Sequence, residues 1–376
     1  MRQLNTLPET PDHADDSIAA AAAALVTAAG RFAAGRELPD LNGKSVLVTG
    51  GTGSFGRRFV RTVLERFQTK RLIIFSRDEL KQYEMQQDLG GDRHPGLRFF
   101  IGDVRDRQRL EMAMRGVDHV IHAAALKHVP VAEYNPGECI HTNVLGAENV
   151  VHAALSCGVK RVIALSTDKA ANPVNLYGAS KLAADKIFVA ANNLAGSRGT
   201  RFAVVRYGNV VGSRGSVIPF FQKLKRDGAA SLPITDPRMT RFWITLQQGV
   251  DFVLSCLRTA RGGEIFVPKI PSMRMVDLAA CLAPDLPVRV VGIRPGEKLH
   301  EVLITAEEAR TTVELDDRFV IRPAFRFWGR EDETEADDAP EGLPVSDDFV
   351  FSSDRNNDWI DAARLQAMLS EVGTVA

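Results

Sequence analysis

The run Thr49-Gly50-Gly51-Thr52-Gly53-Ser54-Phe55-Gly56 constrains this chain more than any other feature. It follows a short apolar run, Ser45 to Val48, and precedes a helical stretch, Phe55 to Phe67. A strand, a glycine-rich turn and a helix in that order build a site for a pyrophosphate. The glycines let the backbone turn tightly and approach the phosphates, and the helix N-terminus supplies unpaired N–H groups. Gly50, Gly53 and Gly56 give a GxxGxxG spacing.

From Leu41 onward strands and helices alternate. Ser45–Val48, Arg71–Phe75, Leu97–Ile101, His119–His122, Val159–Leu165 and Phe202–Arg206 read as buried parallel strands. Helices are expected at Asp78–Leu89, Arg107–Met114, Gly137–Cys157 and Leu176–Asn193. The fold class is therefore α/β: a doubly wound parallel sheet of the NAD(P)-binding Rossmann type over 41–208. After Asn209 prolines punctuate short elements, so 209–330 is expected to form a smaller, loop-rich substrate lobe. An acidic linker from Glu331 to Gly342 and a helix at Trp359–Leu369 occupy 331–376. Residues 1–40 read as a partly disordered extension with one alanine-rich helix, capped near Asp16 or Ser17 and ending near Gly35.

Composition narrows the function. With 47 basic and 47 acidic residues the chain has no net charge, unlike a general nucleic-acid binder. Cys139, Cys157, Cys256 and Cys281 lie far apart, so neither a metal site nor a disulfide framework is expected, and a reducing cytoplasm suits the chain. Ile18–Ala29 is too short to span a membrane and lacks the positive flank of a secretory signal.

Cofactor choice is read at the end of the second strand. A fold selecting NAD places an acid there on the ribose 2′-hydroxyl. This chain has Ser76-Arg77-Asp78. Arg77 can pair with a 2′-phosphate and Ser76 can donate to it, which favours NADP. Asp78 is either that acid or a helix cap. Asp103 and Val104 follow the third strand, where the adenine edge lies, and the small Ala123 follows the fourth.

Tyr177 and Lys181 stand four residues apart on one helix face. An ammonium beside a phenol favours the phenolate, so Tyr177 can take a hydroxyl proton while hydride leaves the same carbon. Thr167, at the tip of the preceding strand, completes a hydroxyl–tyrosine–lysine triad. Asp168 and Lys169 follow it. They read as an acid–base pair for a second proton transfer, or else as a salt bridge, or with Asp168 as a helix N-cap.

At these residues the sequence resembles the inverting UDP-N-acetylglucosamine 4,6-dehydratases, members of the extended short-chain dehydrogenase/reductases. The resemblance rests on TGGTGSFG (49–56), SRDELKQ (76–82), FFIGDVRD (99–106), HAAALKHVPVAEYNP (122–136), LSTDKAANPVNLYGASK (165–181), RYGNVVGSRGSVIPFF (206–221), MTRFWIT (239–245), FVPKIPSM (266–273) and IRPGEKLHE (293–301). It implies NADP contacts at Thr52, Gly53, Ser54, Phe55, Ser76, Arg77, Asp78, Glu79, Leu80, Lys81, Asp103, Val104 and Ala123, with Val210 near the nicotinamide. Lys127 would lie near cofactor and substrate. Tyr177 and Lys181 would be the redox pair, and Asp168 and Lys169 the dehydration acid and base. Asn209, Arg214, Gly215, Ser216, Val217, Arg241 and Arg294 would contact the nucleotide sugar. The family's retaining relatives lack the tyrosine, and ordinary hexose dehydratases carry Asp-Glu where this chain has Asp168-Lys169. The implied partners are UDP-N-acetylglucosamine and further copies of the chain, with no nucleic acid and no membrane. A same-fold 4-epimerase, a dehydratase that also epimerises carbon 3 and a non-catalytic NADP-binding regulator are the alternatives.

Overall fold

The structure is a computed structural model that describes Phe32 and residues 38–90, 93–196, 199–213, 215–325 and 342–373. The expected N-terminal helix at 16–35, Phe32 apart, and nearly all of the acidic 331–342 segment lie outside the described residues.

The first half alternates as the apolar pattern demands. Strand β1 (Ser45–Thr49) leads to α1 (Ser54–Arg66), β2 (Arg71–Ser76) to α2 (Glu79–Leu89), and β3 (Leu97–Ile101) to α3 (Arg107–Met114). All five residues of β1 are buried, as suits a strand covered on both faces. Asp78 and Asp106 cap α2 and α3, accepting from the backbone N–H of Lys81 and Arg109. β4 (His119–His122) is followed by two short helices, α4 (Val129–Tyr134) and α5 (Pro136–Ile140). Where one helix was expected over Gly137–Cys157, a π-turn at His141–Leu145 separates α5 from α6 (Gly146–Cys157). β5 (Arg161–Leu165), a 3₁₀ turn (Asp168–Ala170), the long α7 (Leu176–Ala195) and β6 (Arg201–Val205) complete this half.

The second half consists of β7 (Asn209–Val210), α8 (Val217–Arg226), β8 (Leu232–Ile234), β9 (Thr240–Ile244), α9 (Leu246–Thr259), β10 (Ile265–Pro268), β11 (Ser272–Arg274), α10 (Met275–Leu282) and β12 (Val288–Val290). After them come β13 (Val302–Ile304), α11 (Ala306–Ala309), β14 (Thr312–Glu314), β15 (Arg318–Ile321), β16 (Leu343–Pro344), β17 (Phe351–Ser352) and α12 (Ala362–Gly373).

Among the described residues ten strands form one sheet, ordered β16-β14-β15-β10-β6-β5-β4-β1-β2-β3. The run β3-β2-β1-β4-β5-β6 is parallel and has the order of a dinucleotide-binding fold. Part of the region expected to be lobe returns to this sheet: β10 adds parallel to β6, and β15 and β14 continue it antiparallel. The lobe itself holds a small β11-β9-β7 sheet and the β8–β12 and β13–β17 pairs. One apolar core packs against the sheet, and two smaller ones fill the lobe, around Val211, Trp243, Met273 and Leu365 and around Phe221, Leu232 and Ala279. Among the described residues no helix is long and apolar enough to cross a membrane.

Candidate active site

A cavity of about 1370 Å³ opens along the carboxyl ends of the strands, between sheet and lobe. That exceeds the roughly 300–1,000 Å³ of a site for one small ligand, so it has room for a dinucleotide and a second nucleotide. Gly50, Thr52, Gly53, Ser54, Phe55 and Gly56 form one wall. Gly50 has φ +65°, and a Cβ there would sit 2.8 Å from the backbone nitrogen of Ala124, so only glycine lets β1 turn this close to the end of β4. Gly53, at the N-cap of α1, offers no side chain to the first-turn N–H groups, which stay open to an anion in the cavity. This cradle fits the pyrophosphate of a nicotinamide dinucleotide.

Thr52 donates from Oγ1 to Ser76 Oγ at 3.1 Å, tying the glycine turn to β2. Asp78 serves as the α2 cap and pairs with the Lys81 ammonium; those hydrogen bonds hold its carboxyl below the ordinary range. Asp78 is thus seen as the cap, and it also lines the cavity. Arg77 Nη1 lies 3.5 Å from Asp103 Oδ2 and is half exposed toward the cavity. Burial works against the Asp103 charge, yet Arg105 and Arg77 keep its carboxyl low. Val104, Ala123, Lys127 and Val210 also line the cavity, and burial draws the Lys127 ammonium down. Glu79 and Leu80 do not reach it; Leu80 is 64% exposed. They sit one helical step off the face that carries Asp78 and Lys81, and the helix period turns them outward.

The redox pair stands at the start of α7. Asn175 caps this helix, accepting from Gly178 N–H at 2.8 Å. Lys181 is buried and donates from Nζ to the Leu165 carbonyl at 2.6 Å, so the lysine is anchored to the tip of β5. Burial lowers its ammonium, and Asp185 one turn further along opposes that. Burial pushes the Tyr177 phenol up to about 12, against the pull of Lys169 and of a hydrogen bond with Thr167. The expected lowering of the phenol by Lys181 is thus not what the isolated chain shows: the opposing cation is Lys169, and burial outweighs it.

The 3₁₀ turn carries the second pair. Asp168 is fully buried and accepts at Oδ1 from Thr167 Oγ1 and Lys169 Nζ, both at 2.9 Å. Among the described residues its Oδ2 has no hydrogen-bond partner. Lys169 lines the cavity with Tyr177; Asp168 lies behind it, off the wall. A second carboxylate, Glu301, reaches Lys169 Nζ at 3.1 Å from the lobe side. Burial raises the Asp168 carboxyl. For Lys169 burial is outweighed by the two carboxylates, which hold it as an ammonium. The salt bridge and the candidate acid–base pair are one arrangement.

On the lobe side Asn209, Gly215, Ser216, Val217, Arg241 and Arg294 line the cavity; Arg214 lies outside the described residues. Ser216 is the N-cap of α8, and its buried hydroxyl has no hydrogen-bond partner among the described residues. Arg294 is well exposed beside Glu297 at 3.6 Å. Arg241 differs: it is buried, and its Nη1 and Nη2 donate to the carbonyls of Thr240, Leu299 and Lys298. It forms the wall behind Glu301 more than a free anion contact. Glu301 and Lys298 escaped the sequence reading as site residues. Their motif, IRPGEKLHE, was visible, but nothing local in it points to Lys169.

The parallel sheet, the glycine cradle and the Thr167/Tyr177/Lys181 set define an extended short-chain dehydrogenase/reductase that uses a nicotinamide cofactor. The chain belongs to the family described as polysaccharide biosynthesis protein, whose model matches residues 46–323. It is 56% identical over 330 residues to the UDP-N-acetylglucosamine 4,6-dehydratase (inverting) of Campylobacter jejuni, covering 88% of this chain and 98% of that one. A UDP-glucose 4-epimerase of Rickettsia canadensis is 44% identical over 289 residues, 74% of this chain and 82% of the relative. Among solved structures, Pen from Bacillus thuringiensis superposes with a TM-score of 0.78 at 34% identity, over 89% of this chain and all of that one. DesIV, a dTDP-glucose 4,6-dehydratase from Streptomyces venezuelae with NAD and TYD bound, gives 0.61 at 28% identity, over 68% and 86%.

Proposed function

We propose that the chain is an inverting UDP-N-acetylglucosamine 4,6-dehydratase, making UDP-2-acetamido-2,6-dideoxy-β-L-arabino-hex-4-ulose for pseudaminic acid or a related surface glycan. We also read it as a homo-oligomer of the cytoplasm. The observation that carries the proposal is the placing of Tyr177 and Lys169 on one cavity wall beside a dinucleotide cradle. A simple reductase or epimerase needs the tyrosine alone; a dehydratase needs two further proton transfers on the same sugar.

When bound, NADP would supply reversible hydride chemistry between carbons 4 and 6 of the sugar with no net change in its oxidation state. Gly50 to Gly56 would hold its pyrophosphate, and Arg77, Ser76 and Lys81 its 2′-phosphate; Arg77 is the reason to favour NADP over NAD. Ser216, the α8 N-terminus and Arg294 would hold the UDP diphosphate, and Asn209, Lys127 and the 215–217 turn the sugar.

Tyr177 takes the proton of the 4-hydroxyl, with Lys181 and Thr167 holding the phenol in place. The ketone that results acidifies the carbon 5 proton. Lys169 in its neutral form, its ammonium proton given up to solvent in the cavity, removes the carbon 5 proton and becomes the ammonium again. Asp168, which burial favours in its protonated form, lies off the cavity wall and would pass its proton through the Thr167 hydroxyl that it contacts at 2.9 Å, from which the proton leaves with the carbon 6 oxygen as water. Reprotonation of carbon 5 from the opposite face inverts it.

Incubation with UDP-N-acetylglucosamine should give a product lighter by one water, and the Lys169→Ala variant should fold yet fail to wash solvent deuterium into carbon 5. A product of unchanged mass, epimerised at carbon 4, would replace the reading with an epimerase; normal deuterium wash-in by the variant would remove Lys169 from its role.

A further inference from the structure

Lys169 is clamped between two buried carboxylates. Asp168 comes from its own turn at 2.9 Å, and Glu301 comes from the lobe at 3.1 Å. Glu301 is only 2% exposed. Its place is fixed through the backbone: its N–H donates to Ser353 Oγ at 2.9 Å, and its carbonyl accepts from Ser353 N–H at 2.9 Å. Ser353 Oγ in turn pairs with Thr240 Oγ1 at 2.7 Å. Two further cations face Glu301, Arg241 at 3.6 Å and Lys298 at 3.9 Å, and Lys298 also donates to the Ala171 carbonyl just past the 3₁₀ turn.

The two carboxylates are unequal. Glu301 meets three cations, whereas Asp168 meets Lys169, the Thr167 hydroxyl, the more distant Lys298 and the phenol of Tyr177; among the described residues each carboxylate leaves one oxygen without a hydrogen-bond partner, so the difference lies in the charges around them. One lysine needs one counter-charge. With only Asp168 beside it, Lys169 would force that carboxyl to ionise, which is the wrong state for a proton donor.

We propose that Glu301 is a positioning residue for the dehydration: it is the counter-ion of Lys169, and by taking that role it lets the neighbouring Asp168 keep the proton that leaves with the carbon 6 oxygen. The inference rests on the dehydratase reading above. Burial raises the Asp168 carboxyl and Glu301 repels its charge, while Lys169, Arg241 and Lys298 outweigh burial at Glu301 and hold it ionised, in line with this division.

The test is a split of steps in Glu301→Gln, with Glu301→Asp as the conservative partner. In Glu301→Gln, Asp168 becomes the only counter-ion and ionises. Reduction of bound NADP by substrate should persist, and deuterium exchange at carbon 5 should be kept or quickened, because Lys169 has lost one of the charges that hold its proton. Loss of water should fall by about 100-fold, the scale of a lost general acid, with KM changed less than about threefold. The alkaline limb of the dehydration rate should move to lower pH, and Glu301→Asp should restore part of the rate and of the limb. Equal losses in cofactor reduction, carbon 5 exchange and water loss would mark Glu301 as structural only and overturn the proposal, as would an unchanged pH limb. If the unaltered chain releases no water from UDP-N-acetylglucosamine, the dehydratase reading fails first; if it does and Glu301→Gln matches it, the role of Glu301 alone falls.

Discussion

Gly178, the residue after Tyr177, is where the redox helix and the dehydration turn come closest. A Cβ there would sit 2.2 Å from the carbonyl oxygen of Lys169 and 3.1 Å from Pro173 Cβ. Ordinary contact begins at 3.4 Å, so Gly178→Ala must part the helix start and the 3₁₀ turn by about 3.4 − 2.2 = 1.2 Å. The obstacle is backbone, which gives less readily than the end of a side chain. Alanine favours a helix by about 1 kcal/mol over glycine, and overpacking costs roughly 1–3 kcal/mol, so the variant should fold with a Tm lowered by a few degrees at most. A displacement of about 1 Å in a catalytic group can cost about 100-fold. Water loss from UDP-N-acetylglucosamine, followed by mass, should therefore drop by about that factor while NADP affinity is retained, since the Gly50 cradle is built on the ends of β1 and β4 and the start of α1, not on the Gly178 helix start. A Gly178→Ala variant that turns over within about threefold of the parent would refute the claim that this contact sets the spacing of Tyr177 and Lys169.

Arg77→Ala should weaken NADP by about 10–100-fold, the worth of one charge-assisted contact of roughly 1.5–3 kcal/mol, and leave NAD unchanged; equal weakening of both by titration calorimetry would remove Arg77 as the selector. His122 is fully buried, with Nδ1 2.8 Å from Thr49 Oγ1, and burial and the Lys181 charge draw it from 6.5 to about 3. The unfolded chain therefore binds the extra proton between those values, so stability is full above pH 6.5 and is lost as pH falls toward 3. His122→Gln should flatten the slope of Tm between pH 6.5 and 4.5, and an unchanged slope would show that other groups carry it.

The parallel half of the fold was legible because most of its strands are short apolar runs, with a glycine after β1 and β3 and the capping Asp78 just past β2; β3, at the edge of the sheet, was expected to be buried and is so only at Leu97. Asp78, Asp106 and Asn175 each sit where a helix begins, and the observed starts follow them directly. The π-turn at 141–145 was not legible. It shifts the hydrogen bonding by one residue while the apolar pattern continues, and its product is long-range: Asn143 donates to the Leu126 carbonyl and to Ser180 Oγ, both at 2.9 Å. The return of β10, β14 and β15 to the sheet was missed for another reason. Each has only three or four residues, too few to show a period, and their pairing is decided by the open edge of β6. Tyr177, Lys181, Thr167 and Lys169 stood out because they crowd one stretch of sequence. Glu301 did not, because its tie to Lys169 closes across more than a hundred residues and depends on how the lobe seats.

That seating governs how ligands come and go. The chain leaves the sheet after β6, comes back as β10, departs again, and returns as β14 and β15, so the lobe is stitched on at several points instead of hanging from one hinge. A wholesale swing would have to tear the β10–β6 and β10–β15 ladders. Entry and exit of a sugar nucleotide are then expected to be local, at cavity-lining loops such as 291–297 between β12 and β13, while the ladders of the main sheet stay paired.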